Sequence, residues 1–96
     1  MLIITGHYRV DPEGRDAYIA AFADLQRRAR QAPGCLDVAI TADSLDPSRV
    51  NNLERWESHE AMESFRAVAN PPHLDEEMHD VQVRLYTVTD ERDPFD

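Results

Sequence analysis

The sequence predicts an α+β fold with the element order strand, helix, strand, strand, helix, strand. Alternating side chains mark the strands, apolar residues at three- and four-residue spacing mark two amphipathic helices, and proline-containing breaks separate the elements. A chain of 96 residues makes one domain at most. We therefore treat residues 1–96 as a single domain, of which about 90–96 form a flexible tail.

The first strand is predicted over residues 2–10. Leu2, Ile4 and Tyr8 share one face and Ile3 and His7 share the other, so neither face is purely polar. An antiparallel sheet with one face in water usually alternates more cleanly. The second face is therefore expected to lie against another subunit or a ligand.

A helix is predicted from the turn at 11–14 to about Gln31, with an apolar stripe that includes Tyr18 and Phe22. Pro33-Gly34 ends it. Residues 35–42 and 50–57 then form two strands joined by a loop at 43–49.

Ser58 can cap the second helix, and Asn70-Pro71-Pro72 ends it because proline has no amide hydrogen. Residues 73–80 are predicted as a short helix and 81–90 as the fourth strand. This order predicts a ferredoxin-like fold, a four-stranded antiparallel sheet with both helices on one face.

Composition narrows the classes of partner. Ten Lys and Arg against nineteen Asp and Glu give a net charge of −9, which disfavours nucleic acid and anionic lipid. No apolar run reaches the roughly 20 residues that span a bilayer, so we expect no membrane partner. The single Cys35 cannot form an internal disulfide, which favours a reduced, cytoplasmic location. We interpret Cys35 as a small buried hydrophobe rather than a nucleophile.

The third strand carries the most site-like residues. Asn52, Glu54 and Trp56 share one face, and we predict that Glu54 and Trp56 lie on the open side of the sheet. There the indole would offer a flat stacking surface and one donor, and the Asn52 amide would offer a donor and an acceptor. The alternative for Trp56 is a packing role at the sheet or dimer interface.

His7 and His73 are candidate proton acceptors, because histidine has an unperturbed pKa of about 6.5. The competing interpretations are a hydrogen-bonded structural histidine for His7 and an exposed loop residue for His73. No metal site is predicted, because His73 and His79 lack the spacing of usual helical ligand pairs.

Over nearly its whole length the chain resembles the antibiotic biosynthesis monooxygenase family. The segments that carry the resemblance are the helix start at Pro12-Glu13-Gly14, the turn Pro33-Gly34-Cys35-Leu36, the strand end Glu54-Arg55-Trp56-Glu57-Ser58, and Pro72-His73. The resemblance implies a homodimer, a dimeric α+β barrel in which two sheets pack face to face. It also implies a pocket between each sheet and its helices for flat, hydrophobic, aromatic molecules.

The resemblance further implies a monooxygenase that uses no cofactor and oxidises a quinol- or anthrone-like substrate with dioxygen. In that role Asn52 and Trp56 would hold the substrate oxygen and His7 or His73 would be the base. Arg84 would neutralise an anionic substrate or form a surface ion pair. The expected pocket-lining residues are aromatic: Tyr8, Tyr18, Phe22, Phe65 and Tyr86.

Other activities remain open at this point. The alternatives are a non-catalytic small-molecule-binding dimer and a haem-degrading or isomerase relative on the same fold. Many family members have a histidine where this chain has Ser64-Phe65-Arg66-Ala67. That difference disfavours haem degradation, although His73 keeps it open.

Overall fold

The computed structural model describes all 96 residues. Its elements in chain order are β1 (Leu2–Arg9), a 3-10 turn (Pro12–Gly14), α1 (Arg15–Ala21), α2 (Ala23–Gln31), β2 (Cys35–Ala42), β3 (Arg49–Trp56), α3 (His59–Arg66) and β4 (His79–Thr87). The four strands pair antiparallel in the order β2-β3-β1-β4. The predicted ferredoxin-like fold is confirmed.

The first helical segment differs from the single helix expected up to Gln31. Asp11 accepts a hydrogen bond from the Glu13 amide and opens a 3-10 turn, and the helix then breaks at Phe22, between α1 and α2. Because of this break, α1 and α2 contact different parts of the sheet. Tyr18 of α1 packs into one apolar cluster and Ala29 of α2 into the other.

The short helix predicted at 73–80 is wrong. Asn70 adopts a left-handed conformation with a φ of 45°, the two prolines follow it, and residues 69–78 form neither helix nor strand. Leu74 and Met78 are the only large apolar side chains in this acidic stretch, too few to hold a short helix by packing. β4 begins early, at His79, with a bulge at Asp80, whose φ is 50°.

The core lies on one side of the sheet. Ten of the 96 residues are buried and all ten are hydrophobic. They form one cluster around Trp56 and Met62 and a second around Tyr8 and Val50. The strand residues in both clusters point toward the helices, so no helix covers the opposite sheet face.

Gly6 allows β1 and β4 to approach closely. Its φ is +150°, and a Cβ atom at this position would collide with the main-chain carbonyl of Gln82. A side chain there would therefore disturb the pairing that seats the edge strand. None of the helices has the length and apolar character needed to cross a bilayer.

Candidate functional site

A cleft of about 200 Å³ lies between the sheet and the helices. Six of its ten lining residues are hydrophobic, and the lining comes from α2, β2, β3, α3 and the segment that follows α3: Leu25, Ala29, Val38, Ile40, Asn52, Glu54, Phe65, Arg66, Ala69 and Pro71. A wider hollow of about 820 Å³ lies beside Met1 and residues 90–95, where most lining groups are polar. An apolar cleft with a few converging polar groups is the better candidate for a ligand site.

The register of β3 determines which polar groups reach the cleft. Asn52 pairs with Gly6 and Glu54 with Ile4, and side chains at paired positions share a sheet face. Because Ile4 belongs to the core below the helices, Asn52 and Glu54 face the helices too.

The expectation that Glu54 and Trp56 lie on the open side of the sheet is therefore wrong. Trp56 is 0% exposed and packs with Leu2 and Met62 beneath the helices. Burial of the large indole stabilises the fold by several times the free energy that burying its one polar atom costs, because that atom is hydrogen-bonded. Apolar burial thus sets the face that Trp56 occupies.

The buried indole has one hydrogen-bond partner. Trp56 Nε1 donates to Oε1 of Glu54 at 3.1 Å, so its N–H is already satisfied inside the protein. The Phe65 ring lies 5.7 Å from the Trp56 ring, between centroids, at an interplanar angle of 30°. Phe65 lines the cleft, and Trp56 packs against Phe65 from the side of the core.

The Asn52 amide is a free polar group of the cleft. Its neighbour Asn51 lies on the open face and bonds Arg49 and Asp43. No protein group bonds the side chain of Asn52. The amide can therefore offer both a donor and an acceptor to a ligand.

The two candidate histidines lie outside the cleft. His7 pairs with Asn51 and Gln82 on the face that the helices leave uncovered, across the sheet from Asn52. His73 is exposed, two residues beyond Pro71 at the border of the cleft. The structure brings neither imidazole together with Asn52, and both proton-transfer roles stay predictions.

Of the expected aromatic lining, only Phe65 borders the cleft. The hydroxyl groups of Tyr8 and Tyr18 are 2.9 Å apart in the second core cluster, and Phe22 packs on Tyr18 at 5.0 Å. Burial, and then the hydrogen bond to Tyr18, raise the pKa of Tyr8. These three side chains join α1 to the sheet.

Arg84 and Tyr86 lie on β4, paired with Thr5 and Ile3 on the open sheet face. Both side chains are exposed and neither borders the cleft. Their predicted contact with substrate would have to involve a second site or a partner subunit.

Sequence reasoning missed Arg66, the only basic residue of the cleft. It follows Phe65 at the end of α3 and is four residues from Met62, whose buried side chain marks the inner face of the helix. That spacing was the available signal. Leu25 and Ala29, by contrast, could be found from the apolar stripe of the preceding helix.

The remaining reactive side chains are not gathered into a second centre. No group of three or more His, Cys, Asp or Glu side chains is arranged to hold a metal ion. Burial, and then the nearby Asp37, raise the pKa of the Cys35 thiol. The neutral thiol is a poor nucleophile, in keeping with a packing role for Cys35.

The chain belongs to the antibiotic biosynthesis monooxygenase family, whose model matches residues 1–73. A solved structure from Deinococcus radiodurans, assigned to the same class, superposes with a TM-score of 0.74 at 20% identity and covers 97% of each chain. One from Nitrosomonas europaea gives 0.67 at 14% identity, covering 92% of this chain and 98% of its own.

A haem-degrading protein from Mycobacterium tuberculosis, solved with two haems in its active site, also shares the fold. Its TM-score is 0.67 at 14% identity, and the match covers 97% of this chain and 100% of that one. At these identities the likeness establishes the fold alone. No curated protein matches the chain.

Proposed function

We propose that this protein is a cofactor-independent monooxygenase that oxidises a flat aromatic, quinol- or anthrone-like substrate with dioxygen in the cleft. The unpartnered Asn52 amide, which lines the same mostly apolar cleft as Phe65, is the observation that carries the proposal. Family membership supports it. The chemistry needs polar groups placed in a mostly apolar site, and the cleft combines the Asn52 amide with six hydrophobic lining residues.

The size of the cleft favours a small ring system. Its volume of about 200 Å³ is below the roughly 300 Å³ at the lower end of drug-sized ligand sites. It therefore suits a few fused rings better than a macrocycle as large as haem. The absence of a histidine from its lining is a second argument against haem degradation.

In the proposed reaction the substrate supplies its own electrons. Loss of a proton from an anthrone CH2 group or a phenol gives an electron-rich anion, and Asn52 Nδ2 donates a hydrogen bond to the oxygen where negative charge develops. The apolar walls limit access of water to this anion. For an anthrone the balance is CH2 + O2 → C=O + H2O, so one oxygen atom enters the product.

The proposal includes a homodimer that forms through the uncovered sheet face. Ile3, Ala39 and Leu53 are apolar residues on that face and are only half-buried in the single chain. A chain of this length buries only about 60 to 65% of its unfolded surface by itself, so pairing two such faces would add core. We place the dimer in the cytoplasm, as the cysteine content suggests.

A non-catalytic small-molecule-binding dimer is the second candidate. The observation in its favour is that His7 and His73, the expected bases, both lie outside the cleft. In that case the cleft would bind aromatic ligands and leave them unchanged. Measurements of ligand binding and of oxygen uptake on the same preparation distinguish the two candidates.

The test is oxygen consumption by metal-free protein with 1,8-dihydroxyanthrone and with reduced naphthoquinones. We expect saturable uptake above the autoxidation rate, and a fall of about 100-fold or more in Asn52→Ala, the range reported when an oxyanion donor is removed. Gln31→Ala, which removes an exposed amide at the end of α2 outside the cleft, is the control and should keep its uptake. Binding without uptake would favour the second candidate.

A further inference from the structure

We infer that the Glu54 carboxylate is the general base of the proposed oxygenation, and that Trp56 is the residue that positions it. The inference rests on the proposed function and deepens it, because it assigns the proton-transfer step to the cleft itself. Trp56 then acts through Glu54 and does not contact the substrate.

Glu54 lies where a base would be needed. It and Asn52 are two residues apart on the same face of β3, and both line the cleft. Same-face neighbours on a strand are about 6–7 Å apart along the chain. A substrate whose oxygen accepts from Asn52 can therefore place an acidic C–H or O–H group within reach of the Glu54 carboxylate.

The Glu54 carboxylate is free to accept a proton. No Arg, Lys or His nitrogen lies within 4.0 Å of it, and its one hydrogen-bond donor is the neutral indole of Trp56. That bond uses Oε1 and leaves Oε2 without a protein partner. It is also the only carboxylate in the cleft.

Asp43, a half-buried acid outside the cleft, shows the opposite arrangement. Its carboxylate accepts from the Asn51 side chain and from the main-chain amides of Asp46 and Leu45, and Arg49 lies 3.5 Å away. These contacts, the bond from Asn51 foremost, lower the pKa of Asp43 to about 2. A carboxylate held in this way is a poor base, whereas Glu54 has none of these charged or main-chain partners.

The buried Trp56 indole fixes the position of the Glu54 carboxylate. Its side chain is 0% exposed and packs with Leu2 and Met62, so the direction of its N–H is fixed by the core. A rigid donor restricts the rotamers of the carboxylate that it binds. A glutamate without such a donor would lose more side-chain conformational entropy each time it was ordered against a bound substrate than Glu54 does.

The protons and electrons of the proposed reaction balance when Glu54 is the base. The ionised carboxylate takes the proton from the substrate, and the electron pair of the broken C–H or O–H bond stays in the ring as the enolate that Asn52 stabilises. Dioxygen then accepts the electrons and forms the new C–O bond. Glu54 returns its proton to the resulting peroxide. Loss of the remaining hydrogen of the anthrone CH2 carbon as a proton then forms the C=O bond and expels the outer oxygen as hydroxide. That hydroxide and that proton leave as water, and Glu54 ends the cycle ionised.

The first experiment isolates the proton transfer. Wild type, Glu54→Gln and Glu57→Gln are mixed anaerobically with 1,8-dihydroxyanthrone, and the absorbance of its anion is followed. Glu54→Gln keeps an oxygen acceptor for the Trp56 N–H and removes the base, so we expect anion formation to fall about 100-fold or more. Glu57 is exposed beyond the end of β3 and does not line the cleft, so Glu57→Gln should match wild type.

Two further variants separate positioning from folding. Acetate should restore part of the activity of Glu54→Ala, since the shortened side chain leaves room for a carboxylate, and chloride at equal ionic strength should not. Trp56→Phe keeps an aromatic ring in the core, but it loses part of the buried volume and the indole N–H that donates to the Glu54 carboxylate. In that variant kcat should fall with little change in KM.

The outcomes keep this inference distinct from the proposed function. Oxygen uptake and anion formation in Glu54→Gln at rates close to wild type would overturn the role of Glu54 and leave the oxygenase proposal standing. Wild type that binds the anthrone, with quenching of the Trp56 fluorescence, yet neither ionises nor oxidises it would overturn both.

Discussion

The indole nitrogen of Trp56 donates to Glu54 Oε1 across 3.1 Å, and this bond joins the buried core to the wall of the cleft. One partner is fully buried and the other lines the ligand site. Changes in the packing around Met62, which contacts the same cluster, should therefore reach the cleft through Trp56. The following predictions test the parts of this arrangement separately.

The Tyr8–Tyr18 pair should contribute to stability and not to activity. Replacing either tyrosine by Phe leaves the other buried hydroxyl without a partner, at an expected cost of about 1–2 kcal/mol. The double variant should cost less than the sum, because it leaves no orphan hydroxyl. Denaturant unfolding measures both effects. A loss of oxygen uptake at unchanged stability would instead return these residues to the substrate pocket.

Asp43 should make stability depend on pH in the acid range. Its pKa is about 2 in the folded protein and about 3.9 when unfolded. A depressed folded pKa contributes stability that is present above about pH 4 and is lost as the pH falls through about 2. Asp43→Asn should therefore be less stable than wild type at pH 6, and the difference should shrink toward pH 2.

Urea unfolding at a series of pH values checks this prediction. Asp16→Asn is a suitable control because Asp16 is exposed and accepts no hydrogen bond within 3.5 Å, with its nearest ion-pair contact 3.9 Å away at Arg15. A stability difference between wild type and Asp43→Asn that stays constant from pH 6 to pH 2 would show that the carboxylate charge is not the cause.

Arg66 should favour ligands with an anionic substituent, because it is the only cationic side chain at the cleft. It is about half exposed and its contact with Glu63 is a loose 4.0 Å. Arg66→Gln should bind a naphthoquinone sulfonate about 2- to 5-fold more weakly, the range of an exposed ion pair, and bind the neutral naphthoquinone unchanged. The fluorescence of Trp56 provides the titration signal.

Arg84→Gln is the matched control for Arg66, since Arg84 lies on the open sheet face. It should leave both affinities as in wild type. If Arg84→Gln weakens sulfonate binding and Arg66→Gln does not, the anion-binding role belongs to β4, and the ligand site extends beyond the cleft.

The uncovered sheet face should carry the dimer contact. Leu53 lies near its centre, on β3 between Thr5 and Ala39 of the neighbouring strands. Leu53→Glu would place a like charge from each subunit in the interface, and should shift the sedimentation profile from dimer to monomer. The exposed Leu45 lies in the β2–β3 loop, and Leu45→Glu should remain dimeric. A monomeric wild type at micromolar concentration would contradict the prediction.

Most of the fold could be predicted because its signals are local. Residues 35–42 alternate and match β2, and Ser58 accepts from the Ala61 amide as the expected cap of α3. The break at Phe22 could not be predicted from the sequence, because it depends on α1 and α2 packing into two separate clusters on the sheet. The early start of β4 depends on a bulge opposite β1, which is a property of strand pairing and not of one segment.

The candidate site was predicted only in part for a related reason. Polar residues occupy both faces of β3, with Asn51 and Arg55 on one side and Asn52 and Glu54 on the other, so alternation alone cannot orient the strand. Pairing of Trp56 with Leu2 decides it. The donor and acceptor of its amide make Asn52 a candidate from sequence alone, and the structure places it in the lining of the cleft. The hydrogen bond between Trp56 and Glu54 required the three-dimensional arrangement.

The most direct test of the central claim is the fate of labelled dioxygen. Wild type is incubated with 1,8-dihydroxyanthrone under 18O2 in metal-free buffer, and the quinone product is analysed by mass spectrometry. We predict one 18O atom per product molecule, formed faster than in buffer and lost in Asn52→Ala. A product that forms only at the rate of the protein-free reaction, from a substrate that the protein demonstrably binds, would contradict the oxygenase and favour a binding protein.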